Sequence, residues 1–240
     1  MTLPDFIRAA NQRGDPQLYE LENQAMDPDG ALWTALEQAA PWAGRTLVDL
    51  GCGSGYWLPA YHAAGRLIAV EPDEDLLPLA RARDSSAEML HGSAEHLPLP
   101  DASADVVHAR FAYFFPSRHF DPEPGLREVQ RVLKPGGRLV VVDNDSLSGQ
   151  FAELLQASPG SQAQGHGDYS TRWWAERGAV TTPVMSSWEF GSRQDFEDVL
   201  YLEFGETAGP WLAAHPEATG LSYGYLLHTW TRESRPQRPG

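Results

Sequence analysis

LVDLGCGSG, residues 47–55, decides the fold. A short apolar run ends in glycines at 51, 53 and 55 and leads into a segment, 56–64, that reads as helical. The apolar run is continuous rather than alternating, the pattern of a strand covered on both faces. The glycines let the backbone turn sharply and approach a ligand with no side chain in the way. A helix start just beyond them offers free N–H groups to negative charge. A dinucleotide fingerprint needs its last glycine at position 56, where this chain has Tyr56. No G-x-x-x-x-G-K-[ST] sequence is present, so a nucleoside-triphosphate loop is not supported either. Asp49, unwelcome beside a pyrophosphate, suits a cation. The turn is therefore expected to take a small ligand carrying both a positive group and a carboxylate.

TLVDL (46–50), RLIAV (66–70), AEML (87–90), ADVVHA (104–109) and GRLVVVD (137–143) read as strands. Helices are expected near 56–64, 74–83 and 123–134, the last stopping at KPGG. Strand–helix alternation implies right-handed crossovers and a parallel sheet. After 145 the rhythm changes, with a helix around 149–156, a loop at 158–168 and a helix end at 173–178. Two long strands follow, 180–190 and 221–231, with helical 194–203 between them. Before the glycine turn, DPDG (27–30) supplies turn and capping chemistry for a helix over 31–40. One domain spans 1–240 in this reading: an N-terminal helical cap (1–44), a cofactor-binding half (45–145), a C-terminal half with substrate-side elements (146–231) and a tail (232–240).

Composition narrows the function. The chain has 240 residues, 18 basic and 33 acidic, for a net charge of −15. Such a surface repels a polyphosphate, so a broad nucleic-acid-binding face is not expected. Eight Trp and 10% aromatic residues supply enough apolar surface to exclude a disordered acidic protein. The single cysteine, Cys52, excludes a disulfide framework and a multi-cysteine metal site; no metal is expected. No apolar run reaches the roughly 18 residues of a membrane span, and the first residues lack a signal-peptide core, so a cytoplasmic location is expected.

Glu71 ends the second strand, 22 residues beyond Asp49. A carboxylate there can accept hydrogen bonds from both hydroxyls of a ribose. In GSAEHLPLP (92–100), after the third strand, the backbone can meet an adenine edge while Leu97 or Leu99 packs on the ring.

Together, LVDLGCGSG, VEPD (70–73), GSAEHLPLPDASADVV (92–107) and REVQRVLKPGGRLVVVD (127–143) resemble the class I S-adenosylmethionine-dependent methyltransferases. The nearest group is that of the small-molecule enzymes similar to ubiquinone and menaquinone methyltransferases. The resemblance covers about residues 45–145. It implies a Rossmann-like, doubly wound α/β fold with a seven-stranded, mostly parallel sheet whose last strand is antiparallel, and S-adenosyl-L-methionine as cofactor. By the same resemblance Asp49, Gly51, Cys52, Gly53, Ser54 and Gly55 surround the methionine part, while Glu71 and Pro72 lie at the ribose. Ser93 and Ala94 sit at the adenine, and His108 to Arg110 lie beneath the sulfonium. Similar enzymes often carry Asp where this chain has Ser93, which makes Glu95 the obvious substitute acceptor for the adenine amine.

Methyl transfer asks little of acid–base groups, because the sulfonium methyl is already activated and placement supplies most of the rate. If a base is used, His108, His119 and His228 are the candidates, with His108 first because the fourth strand ends at the switch point. Arg110 is expected to pair with an acidic substrate or with Asp105. Tyr19, Trp33 and FAYFFP (111–116) could form an aromatic lid. Tyr19, Tyr113, Trp188 and Tyr223 mark the substrate side. The expected partner is a small, partly apolar methyl acceptor, methylated on O, N or C. Two alternatives stay open: an NAD(P)-dependent oxidoreductase on a similar sheet, and a non-catalytic S-adenosylmethionine-binding regulatory module.

Overall fold

The computed structural model describes residues 15–117, 120–159 and 168–233. Seven strands form one sheet: β1 (Thr46–Leu50), β2 (Arg66–Glu71), β3 (Glu88–His91), β4 (Ala104–Arg110), β5 (Leu133–Asn144), β6 (Val180–Glu189) and β7 (Gly220–Thr231). Their spatial order is β3-β2-β1-β4-β5-β7-β6. β1 to β5 pair in parallel, and β7 runs antiparallel between β5 and β6. The sheet is the seven-stranded, mostly parallel one that the resemblance implies. The order reverses between β1 and β4, so a crevice opens at their carboxyl ends.

The described helices are α1 (Pro16–Ala25), α2 (Ala31–Ala39), α3 (Leu77–Arg83), α4 (Glu123–Val132), α5 (Gln150–Ala157), α6 (Asp168–Glu176), α7 (Arg193–Phe204) and α8 (Ala208–Ala214). Two apolar cores lie on the two faces of the sheet. One gathers Trp42, Leu47, Leu58, Tyr61, Val106, Val140 and Tyr225 under α1, α2, α5 and α7. The other gathers Val48, Ile68, Val107, Leu126, Val129, Val141 and Trp174 under α4 and α6. α4 is helical for a plain reason: its buried residues Leu126, Val129 and Val132 recur at the spacing of one helix face.

Three local expectations change. The segment 56–64 contains a single 3-10 turn, Leu58–Tyr61, rather than an α-helix. The chain must come back at Gly65, where an added Cβ would lie 2.6 Å from the Gly44 carbonyl oxygen, and Ala43 bridges Ala64. A longer helix would overrun that close approach. KPGG lies inside β5 rather than ending a helix, because Leu133 already pairs with Ala104. The helices at Pro16–Ala25 and Ala208–Ala214 were not expected from the sequence.

Candidate functional site

The site is built at the carboxyl ends of β1 to β4. Gly51, Gly53 and Gly55 have φ of 76°, 59° and 77°, a region that glycine enters without strain. Gly51 has a second reason to be glycine, since a Cβ there would lie 2.6 Å from the Cβ of Ala112 in the segment after β4. The turn is closed by its own backbone: Gly51 N and Cys52 N donate to Val70 O at 2.8 and 3.2 Å, and Gly55 N donates to Cys52 O.

Glu71 reaches into this turn. Its Oε2 accepts from Gly53 N at 2.8 Å and its Oε1 from Asp73 N at 2.9 Å. The side chain is buried, and burial, outweighing those two N–H donors, pushes its pKa up to about 7. Pro72 is buried beside it. Cys52 is buried as well, and desolvation together with the neighbouring Asp49 and Glu71 charges holds its thiol protonated.

Asp49 is 1% exposed and meets Arg110 Nη2 at 3.3 Å. Burial raises its pKa, and the Arg110 guanidinium opposes the rise. The Arg110 guanidinium stands over the rings of Trp57 and Tyr61, 5.3 and 6.0 Å from their centroids. This pairing corrects the expectation of Asp105, whose carboxylate is taken by Lys134 Nζ at 2.7 Å and by Thr46 N. Lys134 lies at the opposite end of the sheet from Arg110.

His108 does not open onto the crevice as a base would. Its side chain is wholly buried, its Nδ1 lies 3.1 Å from the Tyr61 hydroxyl, and Trp42 packs edge-on against its ring. Burial, aided by the Arg110 charge, drives its pKa down to about 3. An imidazole this weakly basic and this enclosed is unsuited to taking a proton from an acceptor. His228 is also wholly buried, with Nδ1 against Thr181 Oγ1 at 2.9 Å, stacked on Trp174. His119 lies outside the described residues.

Ser93 and Ala94 are fully buried after β3, and Glu95 is half-buried. Tyr113 lies beside Ser93 and Ala94, where burial raises its hydroxyl to about 12; that places it at the β3 end rather than toward β7. Phe111 and Tyr113 both have positive φ, 49° and 61°, a strain that bulky residues hold only when their surroundings impose it. Leu97 and Leu99 belong to the core rather than to an open face. Their segment is clamped to α4 by Arg131, which donates to both carbonyls, and by Glu128, which accepts from Leu97 N.

Trp188 and Tyr223 are packed together rather than open to the crevice. Tyr223 stacks on Phe151 at 3.7 Å and on Tyr225 at 4.2 Å, with Trp188 edge-on at 5.2 Å. Phe111 tilts toward both tyrosines. Trp33 stacks on Trp57, and Tyr19, from α1, lies near enough to Arg110 to help hold its charge. Phe114 is core against Trp174. What the sequence reading missed is Glu20 of α1, whose Oε1 accepts from the Ser54 hydroxyl at 2.7 Å.

Buried polar atoms without a hydrogen-bond partner gather here: Asp49 Oδ1, Glu95 Oε2 and Arg110 Nε. Such atoms cost stability unless something else satisfies them. The carboxylate oxygen beside the glycine turn suits an ammonium, the one after β3 an exocyclic amine, and the guanidinium N–H a carboxylate. The donor set fits S-adenosylmethionine.

A sheet of this order, with a glycine turn after β1 and a buried carboxylate ending β2, defines the class I methyltransferase fold. Residues 48–141 match the methyltransferase domain family. Among curated proteins, the chain is 36% identical over 130 residues to a ubiquinone/menaquinone biosynthesis C-methyltransferase of Rubrivivax gelatinosus, covering 52% of this chain and 51% of that one. It is 32% identical over 124 residues to a malonyl-[acyl-carrier protein] O-methyltransferase of Yersinia pestis, covering 51% and 45%. The chain spans about half the length of the curated relatives it matches. Among solved structures, the YcgJ protein of Bacillus subtilis superposes with a TM-score of 0.59 at 18% identity, covering 86% of this chain and 99% of that one. A SAM-dependent methyltransferase of Aquifex aeolicus superposes with a TM-score of 0.54 at 17% identity, covering 90% and 98%. Residues 48–141 are thus similar to a methyltransferase domain, and the superposed structures share this chain's fold. Among the described residues no helix is long and apolar enough to cross a membrane, and no three His, Cys, Asp or Glu side chains are grouped to hold a metal ion.

Proposed function

We propose that this protein transfers a methyl group from S-adenosylmethionine to an O, N or C atom of a small, partly apolar acceptor. The observation that carries the reading is the Glu71 carboxylate, buried at the end of β2 and bonded to the glycine turn. When bound, S-adenosylmethionine supplies a methyl already activated by its sulfonium. Glu71, held by the Gly53 and Asp73 N–H groups, accepts from the ribose hydroxyls with its remaining lone pairs, and Pro72 closes that side. Asp49 Oδ1 takes the ammonium, and Arg110, held over Trp57 and Tyr61, takes the carboxylate. Gly51, Cys52, Gly53, Ser54 and Gly55 line the amino-acid end, with His108 packed beneath it as support. Ser93, Ala94 and Glu95 meet the adenine, Glu95 Oε2 accepting its amine.

Catalysis in this account is placement and exclusion of water rather than proton transfer. Phe111, half-buried just after β4 with the buried Tyr223 and Tyr225 rings behind it, favours a partly apolar acceptor. The name of one relative points the same way, since it acts in ubiquinone and menaquinone biosynthesis. The chain's excess of acid supports a small-molecule partner over a nucleic acid. Thermal unfolding with S-adenosylhomocysteine and with NAD in parallel tests the reading. Stabilisation by the first alone supports it, and stabilisation by NAD alone overturns it in favour of an oxidoreductase.

A further inference from the structure

We infer that the Asn144 side-chain amide, turned by the Tyr223 hydroxyl, binds an oxygen of the methyl acceptor, and that the acceptor is a neutral apolar compound carrying a carbonyl group. This inference rests on the methyltransferase reading and narrows it.

Asn144 ends β5, the strand beside β4, and it is half-buried. The Tyr223 hydroxyl donates to its Oδ1 at 2.5 Å. Burial above all, with the Tyr225 hydroxyl and the Glu203 carboxylate nearby, holds that phenol protonated, so it stays a donor. A planar amide whose oxygen is fixed on one side turns its N–H2 to the other. Among the described residues Asn144 Nδ2 has no hydrogen-bond partner, and it is not one of the buried atoms left without one. The amide N–H2 is therefore open at the carboxyl end of the sheet.

The fold does not need this donor. The backbone around it is satisfied by other groups: Asn144 N donates to Asp143 Oδ1 at 2.7 Å, Asp145 N to Gly224 O at 2.8 Å and Leu147 N to Asp145 Oδ1 at 2.9 Å. Nor does the cofactor claim it, since Asp49, Glu71, Glu95 and Arg110 all belong to β1 to β4 and the turns that follow them. β5 lies one strand spacing, about 5 Å, from β4. Phe111, just after β4, tilts toward the Tyr223 ring at 6.4 Å. An apolar ring and an open amide thus stand at one corner of the crevice, on the side away from the glycine turn.

Charge selects the oxygen. Asp143 and Asp145, the chain neighbours of Asn144, are buried acids, and Glu203 acts on Tyr223. Negative surroundings oppose an anionic acceptor. A carbonyl oxygen offers lone pairs and no proton, which matches a group that can only donate.

The full chain, saturated with S-adenosylhomocysteine, is titrated with 1-tetralone and with tetralin, the hydrocarbon that differs by that one carbonyl oxygen. Wild type should bind the ketone about fivefold more tightly. Asn144→Leu should abolish the preference and leave tetralin affinity unchanged. Tyr223→Phe, which frees the amide to rotate, should shrink the preference severalfold, an effect that a merely structural hydroxyl would not confine to the ketone. The chain has three asparagines, 11, 23 and 144, so with 15N-asparagine labelling the ketone should shift the Asn144 side-chain signal. The Asn23 signal should stay in place, because its Nδ2 already donates to Tyr19 O. If Asn144→Leu loses the fold, the labelled wild type and Tyr223→Phe carry the comparison. Ketone bound no more tightly than hydrocarbon, neither compound bound, or an unmoved Asn144 signal overturns the inference and leaves the methyltransferase reading standing. A wild-type chain that binds no S-adenosylhomocysteine overturns both.

Discussion

Glu71 Oε2 accepts the backbone N–H of Gly53 at 2.8 Å, so the carboxylate that ends β2 is bonded across to the turn that ends β1. The two adjacent parallel strands are joined where a ribose would lie, and the carboxylate is preformed rather than gathered on binding. Its pKa of about 7, raised by burial, makes the site sensitive to pH near neutrality.

The sign follows from the direction of that shift. The folded protein holds the Glu71 proton up to about pH 7, whereas the unfolded chain releases it near 4.5. Raising pH between those values therefore removes stability from the free protein, as the buried group is forced to ionise. Ribose hydroxyls donate to the ionised form, so binding moves the other way. Affinity for S-adenosylhomocysteine should rise about tenfold from pH 6 to pH 8. Calorimetric titrations across that range check it, and Glu71→Gln should flatten the dependence.

Arg110→Met should destabilise the protein by about 3–5 kcal/mol, because it leaves the Asp49 carboxylate buried without its counter-charge. Adding Asp49→Asn should restore much of the loss. Chemical denaturation of the two single variants and the double variant measures the coupling; additive losses would remove the pair from the account.

His108→Ala should act on stability rather than on proton transfer. It removes one of the Tyr61 hydroxyl's partners and opens a cavity under Trp42, at a cost of about 2–4 kcal/mol. The pH profile of turnover should keep its shape. A lost limb in that profile would reinstate His108 as a base.

Gly55→Ala should cost about 2 kcal/mol or more, because φ is 77° and the new Cβ would lie 2.7 Å from Ala80 Cα. Thermal unfolding reads the loss directly. Gly191→Ala, which meets nothing within 4 Å, is the control.

The sheet was legible because its strands are continuous apolar runs and its key turn is local: glycines at 51, 53 and 55 announce their own geometry. Glu71 was legible for the same reason, lying at a fixed distance beyond a strand of known direction. Partner choice was not. Arg110 lies five residues from Asp105 yet pairs with Asp49, because β1 and β4 are neighbours and their carboxyl ends meet. α1 was hidden by its composition: Leu18, Leu21 and Ala25 pack on the core, but Glu22 and Asn23 are buried beside them and blur the apolar stripe. Glu20 meets Ser54 across 34 residues of chain, a contact that no local pattern encodes. His108 looked available at a strand end, but its side chain faces the core beneath Trp42 and Tyr61, and strand position alone does not reveal that choice of face.

Calorimetric titration of S-adenosylhomocysteine into the wild-type chain and Glu71→Ala at pH 8 tests the central claim most directly. One saturable site is expected in the wild type, and binding weaker by about 1.5–3 kcal/mol, tenfold or more, in the variant. Equal dissociation constants for the two, or no heat of binding in either, would contradict it.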